Sequence, residues 1–397
     1  MSSVVRERES FSSSAGLEHE AVRRPSICFV GLNNLAVLAP EHDRSGVAGE
    51  PLQQTLLATA IARRGYDVSM VVADHGQPDG ATWERVTTYK AFSQKAGLPI
   101  LRFVHPRWTG LWSALKRADA DVYYASCAGA VAGQVAMFCA RHGKRFVFRV
   151  ASDSDCKRGS LRTKKWYWRD EWLYQQALRR ADTILVQSER QQELLLRNFG
   201  AHGSIAPLLV DAGRSEIGFQ DRDIDALWVA NVRAVKRPDV LLDVAEQSPG
   251  LRFHMVGGPL PIALEMFQTS QARAMDLGVH FHGALGYRET NALYGRARVF
   301  VNTSDREGFP NTYVQAWASG TPVIAFFDPD GIIGREGLGA AVTTREQMVE
   351  AVQRLARDES AWRAAHARCL AFIHQHFDEP AALQPYLRSF DPTAPTQ

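Results

Sequence analysis

From Ile27 onward, short apolar runs alternate with longer amphipathic stretches, and this alternation constrains the fold more than any other feature of the 397-residue chain. Such an alternation is the pattern of a parallel sheet wrapped by helices. Strands are expected at 27–30, 67–72, 122–124, 146–150 and 183–186, with a helix over 51–64 closed by Gly65 as its C-cap. The polar stretch from Asp211 to Asp225, with Gly213 and Gly218, reads as an exposed linker. A second series of strands follows at 226–230, 252–256, 279–282, 299–301 and 322–326, with late helices at 345–357 and 359–374. The expected organisation is a disordered lead-in over 1–24, a Rossmann-like α/β domain over 25–210, the linker 211–225, and a second Rossmann-like domain over 226–376. A tail over 377–397 completes the chain. Ligands of open parallel sheets bind beyond the carboxyl ends of the strands, so the chemistry is sought in those loops.

With 45% apolar and 22% charged residues, the composition excludes a disordered or collagen-like chain. The net charge of +3 conceals a division: up to Val210 there are 28 Lys and Arg against 20 Asp and Glu, and beyond it 18 against 23. The basic half is expected to meet something anionic. Five cysteines, Cys28, Cys127, Cys139, Cys156 and Cys369, show no metal-type spacing and point to a reducing, cytoplasmic setting. Residues 1–24 lack the apolar core of a secretory signal. The uncharged stretches 122–140 and 308–327 lack the dense aliphatic content of a spanning helix.

Three loops carry candidate chemistry. Gly46-Val47-Ala48-Gly49-Glu50 precedes a helix, where backbone N–H groups can hold a phosphate or a substrate oxygen, although a plain glycine turn reads equally well. Asn231-Val232-Arg233-Ala234-Val235-Lys236-Arg237-Pro238 brings three cations to the carboxyl edge of a strand, suited to a diphosphate. The third and most specific is the run from Ser304 to Ile324. In it Glu307 can accept from sugar hydroxyls, Gly308 permits close backbone approach, and a helix from Asn311 to about Ser319 points its N-terminus at the same place. Gln315 lies one turn along that helix, on the face of Asn311.

The third run resembles the donor-site pattern of retaining GT-B glycosyltransferases of family 4, E-G-F-x5-E followed by A-x-A-x-G-x-P-V-I, in a variant with Gln315 in place of the second glutamate. The resemblance extends from about Ser26 to His376, through the runs Asp121–Tyr124, Ala181–Ser188, Val256–Pro259 and Leu293–Ala297. It implies a GT-B fold, with an acceptor-binding first domain, a donor-binding second domain, and a tail that packs back across the cleft. It also implies a hexosyltransferase-type transfer, with retention, from a nucleotide diphosphate sugar, needing no cofactor or metal. By position, Glu307 would hold the donor sugar, lined by Gly308, Phe309 and Pro310, and Lys236 would bind the diphosphate. Asn231 replaces the family's usual arginine, with Arg233 nearby to supply the charge, and Gly257, Gly258, Asn311 and Gln315 complete the expected donor site. The acceptor side would be formed by Gly46, Gly49, Glu50 and Asp153. The histidine common after the fourth strand is missing, its place taken by Phe148–Asp155.

Asp153-Ser154-Asp155 has the spacing of a metal-binding pair but reads better as an acceptor contact or a cap. Lys157 to Arg169 holds six basic residues and runs into Trp166, Tyr167, Trp168, Trp172 and Tyr174; Arg102, Arg107, Lys116 and Arg117 accompany Trp108 and Trp112. Such clusters suit an anionic membrane surface; together with the resemblance, this implies a peripheral enzyme of polysaccharide biosynthesis acting on a lipid-linked saccharide at the inner face of the cytoplasmic membrane. The competing reading buries the aromatics in the core. No RRM, KH or zinc pattern accompanies them, against nucleic-acid binding. A GT-B sugar-nucleotide epimerase and a non-catalytic sugar-nucleotide binder are the alternatives to a transferase.

Overall fold

The apolar runs become strands covered on both faces: every residue of Ile27–Val30 (β1) and Val68–Val72 (β2) is buried, as parallel strands between helix layers must be. The structure is a computed structural model that describes residues 23–42, 49–98, 101–161, 167–210 and 217–392. The first sheet continues with Thr82–Trp83 (β3), Val86–Lys90 (β4), Val122–Ser126 (β5), Arg145–Arg149 (β6), Thr183–Val186 (β7) and Ser204–Ile205 (β8). Its order is β3-β4-β2-β1-β5-β6-β7-β8, parallel except for the β3–β4 hairpin. That hairpin escaped the sequence reading because its turn places Glu84 and Arg85 at positive φ, 49° and 67°, without the Gly or Asn that marks such turns.

The second sheet comprises Ile224–Val229 (β9), Phe253–Val256 (β10), His280–Gly283 (β11), Ala297–Asn302 (β12), Val323–Ala325 (β13) and Gly339–Ala341 (β14). All are parallel, in the order β11-β10-β9-β12-β13-β14. The expected linker is shorter than its polar composition suggested. Its residues 211–216 lie outside the described residues, but Phe219, Arg222, Ile224 and Asp225 are buried in this second lobe. Arg222 donates to the carbonyls of Ile217, Ala297 and Ser319 and to Thr321 Oγ1, while Asp225 is paired with Arg252 and Arg298. Polar residues that satisfy one another in this way fill a core as readily as they line a linker.

After the helix Glu359–His376 the chain returns to the first lobe, where the helix Glu379–Phe390 places Ala382, Leu383, Tyr386 and Phe390 in one apolar cluster with Phe29 and Tyr124. Tyr386 Oη donates to the Pro207 carbonyl at 2.7 Å, and Arg145 Nε to the Ser389 carbonyl at 2.8 Å. These bonds fasten the last helix to the first lobe, alongside β6.

Candidate functional site

On the second lobe, the chain leaves β9 through Asn231 and Arg233 into the short turn Ala234–Lys236. Arg237, at a φ of 45°, and Pro238 then start the helix Pro238–Glu246. The loop is fixed from beneath: Thr303 Oγ1 donates to the Lys236 carbonyl at 2.6 Å, Trp228 Nε1 donates to Thr303 Oγ1 at 3.0 Å, and Asp305 N donates to the Val235 carbonyl at 3.2 Å. Lys236 Nζ consequently reaches Glu307 Oε1 in a direct ion pair, with both side chains largely buried. A second pair, Arg237 to Asp305 at 2.9 Å, flanks it. Gly257 turns beneath this loop so closely that a Cβ there would collide with the Ala230 carbonyl.

On the first lobe, Gly49 and Glu50 open the helix Gly49–Arg63. The Glu50 carboxylate accepts from Ser126 Oγ, and burial pushes its pKa up against the opposing pull of Ser126, Arg149 and Gln54. The lobes touch where Gly308 packs on Ala151, Ser152 and Gln187, and where Phe309 N donates to Gln187 Oε1 at 3.1 Å. Gly49 abuts the Asn311 amide, which would have to swing aside to admit a Cβ. Between these contacts lies a cavity of about 530 Å3.

Asn231, Arg233, Lys236, Gly257, Gly258, the run Glu307–Asn311, Gln315, Gly49 and Glu50 all line this one cavity. Asp153 does not: its carboxylate accepts from Arg190 Nε at 3.0 Å and Gln191 Nε2 at 3.3 Å, because the neighbouring helix Glu189–Phe199 supplies donors that the sequence kept out of view. Asp155 turns inward to the Ala151 N–H and Ser152 Oγ, so the two carboxylates do not converge on one point. Gly46 lies outside the described residues. Arg149, Ser152, Gln187, Tyr287 and Thr290 also line the cavity and were not singled out from the sequence. An arginine closing an otherwise apolar strand was the available signal for Arg149. Gln187 acts across the cleft and carried no local signal. No helix among the described residues is long and apolar enough to cross a membrane.

Two Rossmann-like lobes turning the carboxyl edges of their parallel sheets toward one shared cavity make the GT-B fold, and this chain has that fold. Its lobes match two family models in turn: residues 53–208 a glycosyl transferase 4-like domain, and residues 223–358 the glycosyl transferases group 1 domain. Among curated relatives, the D-inositol 3-phosphate glycosyltransferase of Mycobacteroides abscessus is 31% identical over 118 residues, 29% of this chain and 27% of that protein. The enzyme of the same name from Rhodococcus opacus is 26% identical over 195 residues, 43% of this chain and 42% of its own. The chain therefore spans less than half the length of these relatives. Among solved structures, Anabaena HepE in complex with UDP and glucose superimposes with a TM-score of 0.69 at 14% identity, covering 93% of this chain and 100% of that one. Sucrose-phosphate synthase from Thermosynechococcus elongatus gives 0.69 at 19% identity, over 91% and 98%.

Proposed function

We propose that the protein transfers a sugar, with retention of configuration and without a metal ion, from a nucleotide diphosphate sugar to an acceptor hydroxyl. The observation that carries this reading is the Lys236–Glu307 pair inside the interlobe cavity, beside Arg233 and the start of the helix Asn311–Ala318. Within the ion pair the two charges neutralise each other. A diphosphate entering beside Lys236 takes over its ammonium and frees the Glu307 carboxylate to accept from sugar hydroxyls. As the glycosidic bond to the diphosphate breaks, negative charge grows on the leaving oxygen, and Lys236, Arg233 and the helix N-terminus oppose it. The leaving diphosphate takes the acceptor proton on the same face, so no side chain forms a covalent intermediate. Gln315, which lines the same cavity, would hydrogen-bond the nucleotide ribose through its amide. The complex of Anabaena HepE with UDP and glucose supports a UDP-sugar as the first donor to test.

The acceptor is read as a lipid-linked saccharide reached from an anionic membrane surface. Supporting this, the two basic and aromatic clusters meet on one face of the first lobe. Arg169 lies 3.5 Å over the ring of Phe103, and the Arg107 guanidinium has its pKa lowered by burial and by the neighbouring charges of Arg102 and Arg169. Around them Leu101, Val104, Trp168 and Trp172 are more than half exposed. The aromatic segment divides, for Tyr174 is wholly buried in the core, and Lys164, Lys165 and Trp166 lie outside the described residues. The deciding experiment is a thermal shift series with UDP-, GDP-, ADP- and TDP-sugars, followed by transfer assays with the donor that binds. Binding without turnover across a panel of saccharide acceptors would reject the transferase in favour of a sugar-nucleotide-binding protein.

A further inference from the structure

Two arginines are buried almost completely, Arg222 at 0% and Arg149 at 3% exposure, and they differ in what meets their donors. Arg222 sends its guanidinium to three carbonyls and a threonine hydroxyl and stacks 4.8 Å from the Trp362 ring. It is a structural staple with its hydrogen bonds made. Arg149 closes β6 on the wall of the interlobe cavity, its guanidinium 5.8 Å from the Tyr386 ring and beside the Tyr124 hydroxyl. Its Nε and Nη2 are buried and meet no hydrogen-bond partner among the described residues. Those two nitrogens form the side of the guanidinium that grips a carboxylate or phosphate through two parallel N–H bonds. Tyr124 and the charge of Glu50 support the guanidinium, but neither nearby acid bonds Nε or Nη2: the Glu50 carboxylate accepts from Ser126, and Asp155 accepts from Ala151 N and Ser152 Oγ. A buried charge with unmet donors is disfavoured unless something completes it. The open cavity, into which the helix Gly49–Arg63 also directs its N-terminus, is where that partner would come from.

We propose that Arg149 is a specificity-determining residue that binds an anionic group, a carboxylate or a phosphate monoester, carried by one of the two sugars and separate from the donor diphosphate. This rests on the glycosyltransferase reading for the identity of the ligands but not for the existence of the anion site. The group is borne either by the donor sugar or by the acceptor, and the chemistry that Arg149 offers is the same for both.

The test titrates wild type, R149K and R149M with UDP, with UDP-glucose against UDP-glucuronate, and, with and without UDP, with glucose against glucose 6-phosphate. The wild type is expected to favour the anionic member of one pair by roughly tenfold to 100-fold, the effect of charge-assisted hydrogen bonds gained. R149M should erase that preference, R149K should keep part of it, and UDP should bind all three proteins alike. A preference in the UDP-sugar pair assigns the anion to the donor, and one in the glucose pair assigns it to the acceptor. Equal binding within both pairs by the wild type, or a preference that survives in R149M, overturns the proposal. A loss of UDP binding in R149M also overturns it, because the arginine then serves the diphosphate. If none of UDP, GDP, ADP and TDP binds the wild type, the transferase reading falls, and the glucose pair without nucleotide alone judges Arg149. R149M also removes the contacts to Tyr386, Tyr124 and Glu50, so retained UDP binding and the partial preference kept by R149K, and not the melting temperature, separate a lost anion site from a lost fold.

Discussion

At the scale of single residues, the Lys236–Glu307 contact predicts how the site should fail. Lys236→Ala should lower kcat roughly 100-fold to 1,000-fold, the usual effect of removing one preorganised group that opposes developing charge. Glu307→Ala should lower it by a comparable factor, and the double variant should lose less than the two single losses combined, because each variant already disrupts the shared pair. Steady-state kinetics with the donor found by thermal shift checks this, and near-normal turnover in both single variants would reject the assigned roles. Gly257 fails differently, since an added Cβ meets the fixed Ala230 carbonyl and not a side chain that can swing away. Gly257→Ala should therefore lower the melting temperature as well as weaken donor binding, whereas Lys236→Ala should spare the fold. Lys236 and Glu307 were legible because each sits in a dense local pattern that follows a readable strand. Arg149 and Gln187 were not, because one is defined by hydrogen bonds it lacks and the other by a partner 122 positions away in sequence.

At the scale of elements, the expected strands 27–30 and 183–186 match β1 and β7 to the residue, because a short run of apolar or β-branched residues between turn signals leaves little choice once both faces are covered. The β3–β4 hairpin and the start of β9 went unread where the cues were polar: Glu84 and Arg85 in a turn, and Arg222 and Asp225 in a core. Histidines on β10 and β11 show a further consequence of strand pairing. The sequence placed His280 and His282 on one side of a strand, and the register adds His254, whose Nδ1 lies 3.0 Å from His282 Nε2 and whose ring stacks 4.8 Å from that of His280. Burial first, and then the two neighbouring imidazoles and Arg296, press the His254 pKa from 6.5 to about 4, with Asp223 pulling the other way. His282 is lowered for the same reasons. A base with a depressed folded pKa binds its proton more tightly in the unfolded chain. Its contribution to stability is therefore complete above pH 6.5 and is lost as the pH falls toward about 4. Melting curves across that window should show wild type losing stability more steeply than His254→Gln, and parallel curves would count against the cluster.

At the scale of the molecule, the division of charge at Val210 outlasts the rearrangement of the chain, because the returning helix Glu379–Phe390 brings one acid, Glu379, and one base, Arg388, to the first lobe. The excess of basic residues thus belongs to the first lobe, and part of it surrounds exposed apolar side chains. On the membrane reading proposed above, Arg102, Arg107 and Arg169 would supply long-range attraction to anionic headgroups, which salt weakens. Leu101, Val104, Trp168 and Trp172 would offer apolar surface to the headgroup region at short range. The two contributions can be separated with vesicles of defined composition. Wild type should float with vesicles containing phosphatidylserine and stay behind with neutral phosphatidylcholine, and raising salt should reduce the bound fraction. Trp168→Ala with Trp172→Ala should weaken flotation at every salt concentration and leave donor binding in the distant cavity unchanged. Arg102→Gln with Arg107→Gln should weaken it chiefly at low salt. Failure of the wild type to bind anionic vesicles would detach the basic lobe from any membrane role and direct the search toward a free anionic saccharide, the ligand class that Arg149 on the cavity wall is proposed to recognise.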